Sequence, residues 1–481
     1  MAIALGAALA GACSSTTTTS APPGNGGTGG TSGGGTVAGT APGTTVPSPS
    51  AVKDWAVYGH DLANTRLNAT ESKLTAKTVA NLKEGWTKGD MVGVTGTPTV
   101  ADGVVYFGDW KGTLHAVAAS SGDERWTATM GGFVVGSPAI DGDGVFASTG
   151  HVLYRFDKKT GAEVWKVDVN EHPLAQISAS PVVVGDLVIQ GVASAEVVMA
   201  KKEYTFKGSI GAYDTKTGKE AWRFYTTTAD ASAGAGVGVW STPAVDVGRG
   251  LLYVGTGNAY SPPTGTYADS ILAIEYKTGK LRWSTQFTNP DVFSAGNPGG
   301  PDADVGASPN LWSIDGRDVV GAGDKGGTFH TVDRDTGEVV WERELTPGSV
   351  FGGEIGSGAY VDGKLVVVSN VGDPATNAPK NTSHVFGVDP KNGDILWTSE
   401  ELKGKIFGPV SAVPGLAFVG TDAATMRAFD VATGKVLWTK DAPAQIGGGA
   451  SIVDGHLLWG YGFTLFKGAG PGGITSYKVG S

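Results

Sequence analysis

The stretch TFHTVDRDTGEVVW, residues 328–341, consists of two short segments of alternating apolar residues joined by the turn DTG. Asp333 lies four residues before Gly337, and Trp341 lies four residues after it. A carboxylate near the turn can accept backbone N–H groups and the glycine can adopt a positive φ, so two strands can reverse in a tight hairpin. The stretch predicts a β-hairpin whose second strand presents a large apolar side chain to a neighbouring sheet.

The same unit recurs along the chain. A Ser-Gly, Thr-Gly or Asn-Gly pair whose glycine is followed four residues later by tryptophan occurs seven times, and an eighth tryptophan lies in KEGW (83–86). The eight tryptophans are Trp86, Trp126, Trp165, Trp222, Trp283, Trp341, Trp397 and Trp438. Six of the seven turns carry an acid four residues before the glycine: Asp157, Asp214, Glu275, Asp333, Asp389 and Asp430. The regularity predicts eight copies of one supersecondary unit.

These units predict an all-β protein, an eight-bladed β-propeller over residues 51–481. The shorter units span 39 to 41 residues, and each contains segments that read as four short strands, which cannot bury their faces alone. The long central units must carry extra residues in loops, which tend to lie on one face of a propeller. We expect the ring to close by pairing DGHLLWGYGF (454–463) and GITSYKV (473–479) with NLKEGWT (81–87), because the edge strands of a ring need partners.

Composition excludes several classes of function. The formal net charge of -10 argues against a nucleic-acid-binding protein, which would show a basic face. The single cysteine, Cys13, excludes an intramolecular disulfide, a cysteine-ligated zinc site and a cysteine-attached haem.

The N-terminal residues resemble a targeting segment. Residues 1–13, MAIALGAALAGAC, look like the end of a bacterial lipoprotein signal, which predicts an exported, cell-surface or periplasmic protein with a lipid anchor at Cys13 as its membrane contact. A plain secretory leader followed by a chance cysteine is the alternative. Residues 14–50 lack charged and aromatic side chains, so we expect a disordered tether.

The tryptophan unit resembles the docking repeat of the propellers that bind pyrroloquinoline quinone (PQQ). These are the eight-bladed quinoprotein alcohol dehydrogenases, and the closest likeness is to the polyvinyl-alcohol dehydrogenase type. The resemblance is carried by DWAVYGHDLANTR (54–66), VWSTPAVDVGRGLLYVGTGNAYSPP (239–263), GPDADVGASP (300–309), VVGAGDKGGTFHTVDRDTG (319–337) and GGEIGSGAYVDG (352–363). It covers the chain from about Asp54 to the C-terminus.

The resemblance implies a calcium ion on the propeller axis, held by a glutamate, an asparagine and the quinone. The glutamate of the family follows a run of small residues, which VASAE (192–196) matches with Glu196, and its asparagine follows G-[ST]-G, which matches Asn258. Asp304 is a further expected ligand, and such oxygen donors suit calcium. The alternatives are a solvated strand-end acid for Glu196 and a turn residue for Asn258.

The resemblance also implies residues that hold the quinone. Trp240 is expected to stack on it, and Lys325 is expected to face the reactive carbonyl and to stabilise the oxyanion that develops there. Further expected cofactor contacts are Ser194, Ala195, Thr242 and Glu354. The alternatives are another docking tryptophan for Trp240 and an exposed turn lysine for Lys325.

The catalytic base is expected in DAD (302–304), with Asp304 preferred and Asp302 second. These two acids, and Asp291 before them, could instead only cap a loop. The adjacent cysteines found in many family members are absent, as is the C-x-x-C-H haem motif, so electrons are expected to pass to an external acceptor such as a cytochrome c.

Two functions from different classes remain open at this point. One is PQQ- and calcium-dependent oxidation of a small-molecule or polymeric alcohol by hydride transfer to the quinone. The other is a non-catalytic exported scaffold, because an outer-membrane assembly lipoprotein shares the repeat and fold does not decide function.

Overall fold

The computed structural model describes residues 53–227, 234–463 and 470–480, and these residues form an eight-bladed β-propeller. The predicted signal segment, the tether and Cys13 lie outside the described residues. Within the described residues no helix is of a length and apolarity that would let it cross a membrane. Two short 3₁₀ helices occur, Val79–Asn81 and Ala195–Val198.

Each blade is one antiparallel sheet, and the first four blades follow one another along the chain. Blade 1 contains β2 (Thr99–Ala101), β3 (Val104–Gly108), β4 (Thr113–Ala118) and β5 (Glu124–Thr129). Blade 2 contains β6 (Ala139–Asp141), β7 (Gly144–Thr149), β8 (Val152–Asp157) and β9 (Glu163–Asp168). Blade 3 contains β10 (Ala175–Gln176), β11 (Val182–Val184), β12 (Leu187–Ser194), β13 (Ser209–Asp214) and β14 (Glu220–Tyr225). Blade 4 contains β15 (Ala244–Asp246), β16 (Leu251–Gly255), β17 (Ser270–Glu275) and β18 (Leu281–Gln286).

The other four blades complete the ring. Blade 5 contains β19 (Asn310–Ile314), β20 (Arg317–Gly323), β21 (Thr328–Asp333) and β22 (Val339–Glu344). Blade 6 contains β23 (Ala359–Val361), β24 (Lys364–Asp373), β25 (Ala378–Val388), β26 (Ile395–Thr398) and β27 (Leu402–Lys403). Blade 7 contains β28 (Ser411–Val413), β29 (Leu416–Thr421), β30 (Thr425–Asp430) and β31 (Val436–Asp441). Blade 8 contains β32 (Ala450–Val453), β33 (His456–Tyr461), β34 (Pro471–Val479) and the first strand of the chain, β1 (Leu82–Val92).

Blade 8 closes the ring as the sequence predicts. Strand β1 pairs antiparallel with β34, from Leu82 opposite Val479 to Val92 opposite Pro471. One blade therefore contains both ends of the propeller, and neither end leaves an unpaired strand edge at the junction.

The repeated tryptophans join each blade to the next. The indole N–H of seven of them donates to a backbone carbonyl of the following blade at 2.9–3.1 Å: Trp86, Trp126, Trp165, Trp222, Trp283, Trp341 and Trp397. Each ring also covers the turn glycine of that blade, where the φ of 72–76° favours glycine and a side chain would collide with the indole. Five of the six turn acids accept backbone N–H groups as expected, as Asp333 does from Asp335 at 2.9 Å and from Thr336 at 3.0 Å. The carboxylate of Glu275 instead accepts from the Thr278 hydroxyl at 2.8 Å.

The segment that precedes β1 crosses the inner strands of the ring. Its carbonyl oxygens accept hydrogen bonds from strands of six blades: Trp55 from β2, Ala56 from β6, Leu62 from β15, Ala63 from β19, Thr65 from β23 and Arg66 from β28. The buried guanidinium of Arg66 also donates to Val410 and Tyr58. The segment therefore ties the inner ends of these blades together.

Hydroxyl groups link five consecutive blades just before their innermost strands. Backbone N–H groups of one blade donate to the hydroxyl of the next at 2.7–3.0 Å: Ser137 to Ser180, Ser180 to Thr242, Thr242 to Ser308, and Ser308 to Ser357. Four of these positions are followed by proline, as in ASP (179–181) and STP (241–243). We call this set the hydroxyl ring. It fixes the spacing of the inner strands around the axis.

Candidate functional site

Two cavities lie one on each side of Trp240. The smaller, about 190 Å³, lies on the axis because residues of all eight blades line it, among them Thr97, Ser180 and Gly447. The larger, about 310 Å³, is lined mainly by blades 3 to 7 and is called here the axial cavity. Both share Ser178, Trp240, Ile355 and Phe407 in their walls, so Trp240 forms a partition between them.

The indole of Trp240 rests on backbone. A Cβ added at Gly306 would lie 2.7 Å from its Cζ3 atom, and a Cβ added at Gly257 would lie 3.2 Å from its Nε1 atom. Only glycine at these two positions lets the ring lie this close to the chain, because real Cβ atoms need more space. Trp240 is thus a flat wall with fixed support, and it is not one of the seven docking tryptophans.

Lys325 lies between two aspartates in the same cavity. Its Nζ is 2.5 Å from Asp302 Oδ2 and 3.2 Å from Asp304 Oδ2, and all three side chains are buried. Burial would lower the pKa of Lys325, but the two carboxylates outweigh it and raise that pKa, so the amine stays charged. Lys325 is therefore not an exposed turn lysine.

The backbone around Asp302 directs its side chain into the cavity. Its φ is 58°, in the left-handed region, and its N–H donates to Asp291 Oδ1 at 3.3 Å. Asp291 also accepts from the N–H of Ala303 at 2.7 Å. Burial raises the pKa of Asp302 far above that of an ordinary aspartate, although Lys325 lowers it in part. Asp291 is therefore a positioning residue for the DAD segment.

Asn258 is held on both sides. Its backbone N–H donates to Asp304 Oδ1 at 2.5 Å, and its Nδ2 donates at 2.6 Å to the carbonyls of Ala259 and of Phe293. With both amide hydrogens used in this way, the side-chain oxygen is the atom available to a ligand. Asn258 lines the axial cavity, so it is more than a turn residue.

The structure brings six of the ten predicted site residues to the axial cavity: Ser194, Trp240, Asn258, Asp302, Asp304 and Lys325. The other four do not line it. Ala195 starts a 3₁₀ helix, and Thr242 belongs to the hydroxyl ring and lines the smaller cavity. Glu354 is buried, and among the described residues its carboxylate has no hydrogen-bond partner. Burial and the nearby Asp324 raise its pKa well above normal.

Glu196 is the fourth residue that does not line the cavity. It is fully buried, which the solvated-acid interpretation did not foresee, and its carboxylate faces Lys201 at 2.5 Å. The structure therefore does not bring this carboxylate to the cavity wall with Asn258 and Asp304.

Sequence reasoning missed the apolar wall of the cavity and one buried acid. Four aromatic residues of the cavity wall were not predicted. Three of them, Phe293, Phe351 and Phe407, lie outside the stretches that carry the resemblance, whereas Tyr260 lies within 239–263. Asp269 is fully buried, and neither of its oxygens has a partner among the described residues. Burial and the neighbouring acids raise the pKa of Asp269 well above normal. The Asn-Ala-Tyr sequence after GTG was a signal that could have identified Tyr260.

Two family models match this chain, and their matches overlap only in the region of blade 3. One, described as "Glucose/ethanol/alcohol dehydrogenase, beta-propeller domain", matches residues 169–357. The other, described as "Outer membrane protein assembly factor BamB", matches residues 70–203 and 381–461. The dehydrogenase match contains all six predicted residues that line the axial cavity.

Curated relatives agree with the first match. "Polyvinylalcohol dehydrogenase" of Pseudomonas sp. is 29% identical over 466 residues, which cover 87% of this chain and 72% of the relative. The protein of the same name from Sphingopyxis sp. (strain 113P3) is 28% identical over 474 residues, covering 88% and 71%. The chain is thus similar to the propellers of PQQ-type alcohol dehydrogenases.

A solved structure supports the fold of this PQQ-type propeller. The quinohemoprotein alcohol dehydrogenase of Comamonas testosteroni superposes with a TM-score of 0.75 and 22% identity, covering 90% of this chain and 81% of that one. At that identity the likeness concerns the fold alone.

The residues of the axial cavity fit a quinone but do not fit the calcium arrangement implied for Glu196. A flat cofactor needs a rigid wall and a fixed cation, which Trp240 and Lys325 supply. A calcium ion needs six to eight oxygen ligands. The carboxylate of Glu196 already accepts from Lys201 and from two backbone N–H groups, and the side chain does not line the axial cavity with Asn258 and Asp304.

Proposed function

We propose that the protein oxidises an alcohol with PQQ bound in the axial cavity. One observation carries the proposal: Lys325 lies between Asp302 and Asp304 in a cavity whose wall is the glycine-supported ring of Trp240. A propeller that served only as a scaffold would not need to bury a lysine and two acids at its centre, because burying charge is costly unless the charges have a use or a partner.

The side chains divide the chemistry between them. Bound PQQ supplies the two-electron acceptor for hydride from the substrate carbon. Asp302, whose Oδ2 faces Lys325 at 2.5 Å, is the better proton acceptor for the hydroxyl group because burial raises its pKa. Asp304 has one oxygen on the Asn258 N–H and the other on Lys325. Lys325 provides a fixed positive charge where an oxyanion develops. Asp304, the base preferred from sequence, then orients Lys325 and Asn258.

The apolar residues of the cavity support an alcohol that is attached to an apolar chain. The cavity lining includes Phe293, Val350, Phe351 and Phe407. Two curated relatives are named for polyvinyl alcohol, and an extended secondary alcohol is the substrate that we propose. The substrate carbon would face Asp302 while its chain lies against the aromatic residues.

Three further parts of the proposal concern partners and location. An external acceptor such as a cytochrome c receives the electrons, since the sequence has no C-x-x-C-H motif. Export and a lipid anchor at Cys13 are proposed from the N-terminal sequence. The calcium ion implied by the resemblance stays a prediction outside this proposal, because Glu196 faces Lys201 and, of the expected donors, only Asn258 and Asp304 line the axial cavity.

The test is a titration of purified protein with PQQ, followed by tryptophan fluorescence and by dye-linked oxidation of a panel of primary and secondary alcohols. We expect saturable quenching and activity that depends on added PQQ, and Lys325→Met should lose activity. The scaffold function predicts neither binding nor turnover, so the absence of both across the panel would reject the proposal in favour of the scaffold.

A further inference from the structure

The ion pair between Glu196 and Lys201 lies next to the axial cavity and has no part in the mechanism above. Glu196 is the first-turn residue of the 3₁₀ helix Ala195–Val198, directly after the central strand β12 of blade 3. Ser194, two residues before Glu196, and Val197, directly after it, line the cavity. The pair is thus one turn of chain away from the cofactor position.

Both oxygens of the Glu196 carboxylate accept hydrogen bonds. Oε1 accepts from Lys201 Nζ at 2.5 Å, and Oε2 accepts from the backbone N–H groups of Phe206 at 2.9 Å and Thr205 at 3.1 Å. The carboxylate is fully buried, whereas the Lys201 side chain is about one-third exposed. A carboxylate with this many donors is a closed structural centre, since a metal would have to displace the ammonium group first.

Lys201 is the charge that balances Glu196. Lys201 Nζ is 2.5 Å from Oε1 of this carboxylate, whereas His172 Nε2 is 3.9 Å away. The amine of Lys201 is therefore the cationic group in direct contact with the buried acid.

The turn that carries Lys201 is attached to the cavity wall. Tyr204 accepts from the N–H of Gly296 at 2.8 Å and donates to the Met199 carbonyl at 2.8 Å. The loop of Gly296 also carries Phe293, whose carbonyl accepts from Asn258. The position of Lys201 is thus fixed by the same loop that fixes Asn258.

The acids of the DAD segment repeat this arrangement. Asp302 and Asp304 share Lys325, so each carboxylate predicted as a metal ligand or base has a lysine against it. Within residues 53–227, 234–463 and 470–480, no group of three or more His, Cys, Asp or Glu side chains is arranged to hold a metal ion.

We propose that Lys201 stands in for the divalent metal at Glu196, and that the cofactor site of this chain works with two lysines and no tightly bound metal. The inference deepens the proposed function, but its test does not depend on turnover. Removal of the Lys201 amine should leave Glu196 as a buried, uncompensated carboxylate, which a calcium ion can neutralise.

The experiment measures metal binding by protein without quinone or substrate. The wild type, Lys201→Met and the matched control Lys202→Met, which changes an exposed neighbouring lysine, are treated with EDTA and titrated with Ca²⁺ by calorimetry and with Tb³⁺ by tryptophan-sensitised luminescence. We expect wild type and Lys202→Met to bind Ca²⁺ no better than about 1 mM, the weak end of protein calcium sites. Lys201→Met should bind at least about tenfold more tightly, and adding Glu196→Gln should abolish the gain.

Two results would overturn the inference. One is tight Ca²⁺ binding by the wild type that Glu196→Gln abolishes. The other is a folded Lys201→Met that binds Ca²⁺ no better than Lys202→Met, with folding checked by circular dichroism. If Lys201→Met does not fold, the inference is tested by thermal unfolding of Lys201→Arg with and without Ca²⁺. We expect Lys201→Arg to have the wild-type melting temperature, unchanged by Ca²⁺. An increase in its melting temperature on adding Ca²⁺ would contradict the inference. Failure of PQQ binding, by contrast, would reject the proposed function and leave the metal result standing.

Discussion

Gly306→Ala tests whether Trp240 is the wall against which the cofactor lies. The new methyl carbon would be 2.7 Å from Cζ3 of the indole and closer still to Cζ2 and Cη2. Carbon atoms in contact need about 3.5 Å, so the ring must move by about 1 Å or more. The axial cavity of about 310 Å³ on its other side gives it room to do so.

The displaced ring should weaken PQQ binding more than it weakens the fold. Overpacking costs about 1–3 kcal/mol when nothing can move, and movement into the cavity lowers that cost. A flat ligand that loses its parallel wall loses about 0.5–1.5 kcal/mol of ring contact besides the buried area. We therefore expect the Kd for PQQ to rise at least about tenfold, which corresponds to about 1.4 kcal/mol.

The assay is fluorescence or calorimetric titration of PQQ, with unfolding in urea measured in parallel. Gly299→Ala is the matched control: Gly299 lies in the preceding loop, and a Cβ there would meet no atom within 4 Å. That variant should bind PQQ as the wild type does. The reasoning would be refuted if Gly306→Ala bound PQQ with wild-type affinity while keeping wild-type stability.

Three further predictions use other parts of the molecule. Asp302→Asn should lower kcat/KM by about 10²–10⁴. The raised pKa of Asp302 keeps this acid protonated at low pH, so the wild-type rate should rise as the proton is lost and the variant should lack that rise. An unchanged pH–rate profile would exclude Asp302 as the base. Trp126→Ala should cost about 3–5 kcal/mol in urea unfolding, because the ring covers Gly161 and donates to the Lys158 carbonyl at 2.9 Å; a loss below about 1 kcal/mol would contradict the docking role. Burial lowers the pKa of His330, but hydrogen bonds to Asp324 and Glu342 outweigh it and raise that pKa above 6.5. The difference in unfolding free energy between wild type and His330→Gln should therefore be largest below pH 6.5 and shrink as pH rises through the raised pKa. A difference that grows with pH would refute this reasoning.

The fold was predictable because its signal is local and repeated. The glycine, acid and tryptophan of each unit act within one hairpin and the next blade, so eight weak signals support one another. The closure by β1 and β34 followed from the need to pair the two ends. The hydroxyl ring was overlooked although Ser-Pro or Thr-Pro recurs before four inner strands, because a single such dipeptide reads as an ordinary turn.

The site was predictable only where a residue is fixed by its own strand end. Asn258 lies three residues after the end of β16, and Lys325 lies two residues after the end of β20, so their positions at the cavity follow from the positions of these strands. Glu196 also follows its strand, but the direction of its carboxylate depends on Lys201, five residues later in an irregular turn. The resemblance fixed the position of the acid and could not fix its partner. The aromatic wall was not predictable either, because Phe351 and Phe407 come from loops of blades 6 and 7 that no motif marks.

The rigidity of the site comes from the ring of inner strands rather than from the loops. Trp240 is two residues before Thr242, whose hydroxyl and N–H join Ser180 and Ser308 in the neighbouring blades. Gly306, which supports the indole, is likewise two residues before Ser308. Trp240 and Gly306 are thus anchored beside Thr242 and Ser308, two adjacent members of the hydroxyl ring. A change of sequence or charge in a loop such as that of Lys201 therefore need not move Trp240. Under the roles proposed for Lys201 and Trp240, the cation beside Glu196 can be exchanged while the wall of the cofactor position stays in place.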